Sequence, residues 1–399
     1  MNSGKKDGLL IRMIVKVADN IISPLGLTVD ENFSCVVAKK SSIRLYSGKW
    51  DIPEPFYASL FEEEEKEVLF ERELTDRKKA YTMFEKLAIL SAQRALKDCP
   101  QVNPSSERVI FVLSTTKGNI KLLDDTSGFD IERVCLGTTA RAISKYFGNP
   151  NIPIVVSNAC ASGVCAQLIA SRYLIAGRYD HAIVIGAEEQ SKFIVTGFQS
   201  LKALSPEECR PFDSARCGLN PGEAAATIIY SNKNKRELTG GEWVLVRGAI
   251  RNDANHISGP SRTGEGCFRA LGQTILDDDI SQMAFISAHG TATIYNDEME
   301  SIAIDRAGMI GTPVSSLKGY FGHTMGAAGI LETIMSQRAL DEGLILGTRG
   351  FKSLGVSRPV SISSEHRRTD KKMFVKMLSG FGGCNAALLF NKGEMYADN

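Results

Sequence analysis

Long apolar runs are missing from this chain. No stretch approaches the roughly 18–20 residues that a membrane-spanning helix needs, so no such helix is predicted. No signal peptide is visible either: Leu9-Leu10-Ile11 is too short for an apolar signal core, and Arg12 breaks it. Charge of one sign is missing too. Lys plus Arg total 47 and Asp plus Glu 46, a net charge of +1, which gives no global attraction to nucleic acid or an anionic membrane. A local basic patch for an acidic partner is left open by that total. The nine cysteines (35, 99, 135, 160, 165, 209, 217, 267, 384) include no CxxC pair, and their number is odd. That argues against a disulfide framework and against a zinc cluster, and it fits free thiols in a reducing cytoplasm. Histidine is scarce, at five in 399 residues, so each one placed in a motif carries weight.

What is present reads as an ordinary globular chain. Hydrophobic residues make up 43% and charged residues 23%. A polar leader, residues 1–12, reads as a flexible extension or tag remnant, and Met13-Ile14-Val15-Lys16-Val17 opens the first strand. Further strand-like runs are 109–113, 154–156, 182–185, 225–230, 243–246, 283–286 and 386–390. They are continuously apolar rather than alternating, which suits strands covered on both faces by helices. Helical spacing runs from Asp76 to Lys97, with Pro100 just beyond, and again over 296–306 and 327–341. Strands alternating with helices predict an α/β fold. Each half of the chain places a reactive residue just after an apolar strand, Cys160 after Ile154–Val156 and His289 after Met283–Ile286. That pattern is compatible with two related α/β halves meeting at one site.

Cys160 sits in Ser157-Asn158-Ala159-Cys160-Ala161-Ser162-Gly163, and the segment from Val164 to Ala176 reads as a helix. A thiol at a strand-to-helix turn faces the positive end of the helix dipole, which favours thiolate. A small buried core cysteine is the alternative. Two of the five histidines sit in glycine-flanked turns, in Ser287-Ala288-His289-Gly290-Thr291-Ala292-Thr293 and in Lys318-Gly319-Tyr320-Phe321-Gly322-His323. Asn296-Asp297 and Glu300 follow the first, and Gly380-Phe381-Gly382-Gly383-Cys384-Asn385 closes the series. Neither histidine has a third ligand nearby in sequence or an HxxxH spacing, so no metal site is predicted. Singly, Thr291, Thr293 and Lys318 each read equally well as turn or surface residues.

Taken in order, the motifs resemble the β-ketoacyl synthases of the I/II type, decarboxylating condensing enzymes with a thiolase-like fold. The resemblance spans about residues 13 to 391 and includes Asp76-Arg77, Ala159-Cys160-Ala161-Ser162-Gly163, Arg210-Pro211-Phe212-Asp213, Gly222-Glu223 and Asp253-Ala254-Asn255-His256. It implies duplicated halves, 13–240 carrying the nucleophile and 241–399 carrying both histidines, in a layered αβαβα architecture. It implies that Cys160 accepts an acyl group from acyl carrier protein and that His289 and His323 stabilise the enolate formed from malonyl-acyl carrier protein through N–H donors. Lys318 and Glu300 are expected to be a charged pair behind the histidines. Backbone N–H groups of Cys160 and Phe381 are expected to form the oxyanion hole. Thr291 and Thr293 would bind the pantetheine arm, and Phe381 with Gly382 would form a gate. No cofactor is implied beyond the pantetheine that the carrier protein brings. A homodimer is expected, and a heterodimer with a partner synthase is the alternative.

Departures from the family pattern are Arg216-Cys217-Gly218, Ala292-Thr293-Ile294, Gly383-Cys384-Asn385 and Thr115-Thr116-Lys117-Gly118-Asn119. None removes a catalytic group. They point to a divergent member serving a dedicated polyene, polyketide or pigment chain. Two other readings stand beside this one: a non-catalytic synthase-like subunit, against which the intact Cys160, His289, His323 and Lys318 count, and a non-decarboxylating thiolase.

Overall fold

The computed structural model describes residues 12–62, 64, 70, 74, 81–124 and 128–393. All but Arg12 of the expected leader lies outside them, as does the Asp76-Arg77 start expected for the first long helix. The strands in chain order are β1 (Arg12–Ile22), β2 (Arg44–Tyr46), β3 (Phe56–Ala58), β4 (Val109–Ser114), β5 (Ile154–Val156), β6 (His181–Glu188), β7 (Ala224–Asn234) and β8 (Trp243–Asn252). They continue with β9 (Met283–Ser287), β10 (Pro313–Ser315), β11 (Leu344–Ile345), β12 (Ser361–Ile362), β13 (Arg367–Arg368), β14 (Met373–Gly380) and β15 (Cys384–Lys392).

Eleven of these form one sheet in the order β12-β10-β9-β14-β15-β8-β1-β7-β6-β4-β5. The two sides join where β1 meets β8 through two residue pairs, Ile14–Leu245 and Val15–Val244. Each side repeats one topology. From the join outward the first side runs β1, β7, β6, β4, β5, and the second runs β8, β15, β14, β9, β10. In both, the two outer pairings and the next are parallel or antiparallel in the same sequence: β4 is parallel to β5 and β6, and β9 is parallel to β10 and β14. β7 is antiparallel to β6 and β1, and β15 to β14 and β8. The chain is therefore duplicated, and the duplication corrects one correspondence. Cys160 follows the third strand of its half, β5, so its counterpart is the turn after β10 that leads to His323. His289 follows β9, whose counterpart is β4 and the Thr115–Lys117 turn.

Two helices, Ser162–Ile175 and Ala328–Asp341, follow those third strands and form the central layer between the two sides of the sheet. Both are buried over most of their surface, as helices covered on two sides are. They touch at Gly163 and Gly329: a Cβ on Gly163 would lie 2.9 Å from Gly329 Cα, and one on Gly329 would lie 2.5 Å from the Val164 nitrogen. Only glycine permits that approach, which carries the Cys160 and His323 turns toward each other. Met83–Lys97 covers the outer face of β1, β6 and β7, and Glu265–Thr274 covers β8 and β15. The layers are thus αβαβα, with one apolar cluster at the centre and one under each outer layer.

The Met83–Lys97 helix starts at a Thr82 cap, whose hydroxyl accepts from the Glu85 amide while Glu85 reaches back to the Thr82 amide. The apolar runs miss the short strands β2, β3 and β10 to β13 and one long one, β14. Lys376 interrupts its run, yet that side chain is fully buried.

Candidate active site

The Cys160 turn is built by local hydrogen bonds and strain. Ala159 adopts φ 46°, a left-handed conformation unusual for a residue with a Cβ. The Asn158 amide donates to Ser162 Oγ at 2.7 Å, and that hydroxyl donates to the Ala159 carbonyl at 2.5 Å. The turn lifts Cys160 off β5 just ahead of the helix that begins at Ser162. The Asn158 side-chain amide reaches two further sulfurs, Cys384 at 2.7 Å and Cys165 at 3.4 Å. The β14–β15 hairpin abuts the same turn: a Cβ on Gly380 would lie 2.9 Å from Ala159 Cβ and 3.1 Å from the Cys160 nitrogen. Phe381, at the hairpin tip, is 39% exposed and lies 6.1 Å from the Phe198 ring. Gly382 donates its N–H to the Ile257 carbonyl at 2.7 Å.

His289 is set by the carboxylates of the helix Ile294–Arg306. Glu300 accepts from the His289 and Gly290 amides, each at 2.7 Å. Asp297 accepts from Thr291, Ala292 and Phe212 amides at 2.9, 3.1 and 2.7 Å. Gly290 has φ 48° with Ser316 packed against it, so a side chain there would be strained and blocked. His323 is held from the other half of the chain. Its N–H donates to the Asn220 carbonyl at 2.6 Å, and its carbonyl accepts from the Gly222 amide at 3.0 Å.

The two rings meet with Nε2 atoms 3.3 Å apart and planes 72° from parallel. Their partners assign the tautomers. The Met325 amide donates to His323 Nδ1 at 3.2 Å, so the His323 proton is on Nε2. The Asn296 NH2 group donates to Asp297 and Glu300, which turns its carbonyl toward His289 Nδ1 at 3.1 Å. The His289 proton is therefore on Nδ1, and its Nε2 lone pair accepts from His323. Cys160 Sγ and ring nitrogens of both histidines lie within 4.8 Å of one another. These are donor types that hold zinc, and an ion there would occupy the reactive sulfur.

Behind the histidines the expected Lys318–Glu300 pair is replaced by another. Lys318 donates to Glu332 Oε1, and Lys376 ion-pairs with Glu332 Oε2 at 2.5 Å. All three side chains are buried. Glu300 spends its oxygens on the His289–Gly290 amides and the Asn296 side chain instead. The correction has a simple cause. Lys318 begins a short helix facing the central Ala328–Asp341 helix, which carries Glu332, whereas Glu300 belongs to an outer one. Neither Glu332 nor Lys376 belongs to a motif of the chain; the signal for Lys376 is a charge inside an otherwise apolar strand, which demands a buried partner.

Burial pushes the Cys160 thiol up to about 11, against the opposing pull of Lys318 and Lys117. The resting group is a thiol, so the helix terminus does not by itself supply a thiolate at neutral pH. Burial, then Lys318, holds both histidines well below the ordinary imidazole range, with Lys376 adding to the effect. Burial, then Asp297, raises the Glu300 carboxyl to about 7. Burial would raise Glu332 as well, but Lys318 and Lys376 outweigh it and hold that carboxyl down.

A cavity of about 350 Å³ leads from the surface to Cys160, His289 and His323. Thr291 and Thr293 line it, with hydroxyls 2.8 Å apart, together with Phe198 and Phe381. Every sequence-predicted site residue on its wall thus converges on one channel, while Lys318 and Glu300 stand behind it. Among the described residues, no helix is long and apolar enough to cross a membrane.

The duplicated, five-layered α/β architecture and the Cys-His-His cluster define a condensing enzyme of the thiolase-like fold. Residues 12–235 match the beta-ketoacyl synthase N-terminal domain and residues 244–352 the C-terminal domain; the chain belongs to the beta-ketoacyl synthase family, whose members are acyltransferases. A mitochondrial 3-oxoacyl-[acyl-carrier-protein] synthase of Arabidopsis thaliana is 29% identical over 362 residues, covering 80% of this chain and 77% of its own length. A beta-ketoacyl synthase from Burkholderia phymatum shares the fold with a TM-score of 0.83 at 24% identity, covering 96% of this chain and all of its own. A ketosynthase in complex with its chain length factor, from Xenorhabdus doucetiae, gives a TM-score of 0.81 at 24% identity, with 96% of this chain and 98% of its own covered.

Proposed function

We propose that this chain is a 3-oxoacyl-[acyl-carrier-protein] synthase that condenses an acyl group on Cys160 with malonyl-acyl carrier protein. The observation that carries the reading is one sulfur and two neutral imidazoles converging within 4.8 Å at the end of a channel. Loading begins when Cys160 Sγ attacks the acyl thioester. The departing pantetheine sulfur takes the proton that Cys160 gives up, relayed by the His289 Nε2 lone pair once the His323 proton has turned away from it. Malonyl thioester then enters past Thr291, Thr293 and the Phe381 gate. Its carboxylate leaves as carbon dioxide, and the bonding pair moves onto the thioester oxygen. His323, with its Nε2 proton already placed, donates to that oxygen in a preorganised site. The enolate carbon attacks the Cys160 thioester, whose oxyanion is held by the Cys160 and Phe381 amides. The 3-oxoacyl chain leaves on the carrier protein, and a solvent proton restores the Cys160 thiol.

Lys318 and Glu300 are positioning groups in this scheme. Lys318 keeps the histidines neutral, and Glu300 clamps the His289 turn. The Thr116-Lys117-Gly118 and Cys384 departures support a dedicated polyene, polyketide or pigment pathway rather than bulk fatty-acid elongation. Among the described residues strand β5 ends the sheet with one edge unpaired, and Ile152 beside it is 77% exposed. An edge of that kind invites strand addition, which supports a homodimer or a heterodimer with a partner synthase; sedimentation as a monomer would contradict it. All nine cysteines are free, which supports a reducing compartment such as the cytoplasm.

Intact-mass analysis with a panel of acyl-acyl carrier proteins tests the assignment and reads chain-length preference. Acyl mass should appear on wild type and be absent from Cys160→Ala. Elongation by the Cys160→Ala protein would sink the reading, and product formed without carbon dioxide release would favour a thiolase.

A further inference from the structure

We infer that Lys376 is a positioning residue for the condensation: its buried ammonium anchors the two carbonyls that precede His289. This rests on the condensing reading above and adds a group that no motif of the chain points to. Lys376 comes from the middle of β14, opposite Ser287 of β9 in the register, and its side chain has no exposed surface. Its Nζ donates to the Ala288 carbonyl at 3.0 Å and the Ser287 carbonyl at 3.2 Å, and it pairs with Glu332 Oε2 at 2.5 Å. Those two carbonyls belong to the residues immediately before His289. The next two amides, His289 and Gly290, are bound by Glu300 at 2.7 Å. The peptide chain entering and leaving His289 is therefore gripped by a cation on one side and a carboxylate on the other. Neither grip depends on the substrate, so the imidazole is placed before it arrives.

A structural lysine would need no particular charge, but this one acts on the rings. The charged groups around it are Glu332 on the central helix, Lys318 beside that helix and Glu300 on the outer helix. Among these, Lys376 and Lys318 both oppose a proton on His289 and on His323. A protonated His289 could not accept the Cys160 proton during loading, and its charge would weigh against the cationic neighbourhood. Removing the Lys376 charge should therefore raise both imidazoles toward their ordinary range.

The test is malonyl-acyl carrier protein decarboxylation by Lys376→Met and Lys376→Ala across pH 5 to 9. Lys376→Met keeps the bulk and removes the charge. It should lower kcat about tenfold to hundredfold with KM little changed, as loss of a group orienting a reactive ligand does. The acid limb of its profile should move to higher pH by on the order of one unit. Lys376→Ala leaves a space lined by carbonyl and carboxylate oxygens, so methylammonium should restore much of its activity while tetramethylammonium, too large and without donors, should not. Wild-type kcat with an unmoved acid limb overturns the proposal. So does a loss that methylammonium fails to restore and that leaves the acid limb in place, since that assigns Lys376 to packing alone. If neither variant folds, 15N-histidine spectra of wild type decide: both active-site rings should be neutral at about pH 6.5, where an ordinary imidazole is half protonated, and titration of either at that ordinary value overturns the proposal. A wild type that does not decarboxylate would defeat the condensing reading, while the spectra would still judge this one.

Discussion

Replacing Glu332 by Gln removes one buried negative charge from between two buried lysines. Glu332 is 3% exposed, Lys318 1% and Lys376 0%, so water screens none of them. In the wild type the triad carries a net charge of +1; in Glu332→Gln it carries +2. Two unit charges about 4 Å apart interact by about 4 kcal/mol at an effective dielectric of 20. The protein has one way to relieve the strain, which is to release the Lys376 proton. Burial already pulls that ammonium down to about 8 against the pull of Glu332, so deprotonation near pH 7 costs about 1.4 kcal/mol in the wild type and less in the variant. The net loss should match that of breaking a buried pair, about 3–5 kcal/mol. For a chain of this length that is a fall in melting temperature of about 5 °C. The pH dependence has a definite sign. Lys376 titrates lower in the folded than in the unfolded chain, so its contribution is favourable above about 10.4 and is lost as pH falls through the folded value. The Glu332→Gln deficit should therefore shrink between pH 7 and 9. Scanning calorimetry of wild type, Glu332→Gln and the double variant with Lys376→Met checks it. The double variant, left with one unpaired lysine, should recover part of the loss. A Glu332→Gln protein that melts within about 1 °C of wild type at pH 7, with no pH dependence, would refute the shared-carboxylate argument.

Two further outcomes follow from the site. Iodoacetamide should alkylate Cys160 slowly at pH 7, with a rate rising about tenfold per pH unit toward 10, because the thiolate is the nucleophile and burial holds the thiol at about 11; a plateau already reached at pH 7.5 would restore the helix terminus as the activator. His323→Ala should slow malonyl decarboxylation by about 10²–10³, the cost of losing an oxyanion donor, while acyl loading onto Cys160 changes far less. Equal losses in both steps, read by carbon dioxide release and intact mass, would refute the division of labour between His323 and His289.

The catalytic motifs were readable in the chain because each is a local device. A reactive side chain at the end of a buried strand needs a tight turn, and the glycines and small residues of that turn stand beside it. Cys160, His289, His323 and Phe381 were visible for that reason, as were the strands around them, whose doubly covered faces leave continuous apolar runs. Strand β14 was not, because Lys376 makes its run look interrupted.

What the residues alone determined is the α/β pattern, the order of the reactive turns and the chemistry their side chains allow. What only the tertiary structure decided is which charges meet. Lys318, Glu332 and Lys376 come from three elements up to 58 residues apart, and no spacing rule links them; they are joined by the packing of one central helix against β14. The same fold leaves Cys160 only partly exposed, at the inner end of the channel. Desolvation depends on everything that surrounds a group, not on its neighbours in sequence. The sequence could therefore place the sulfur at a helix start, but only the fold could raise its thiol and bring two histidines beside it.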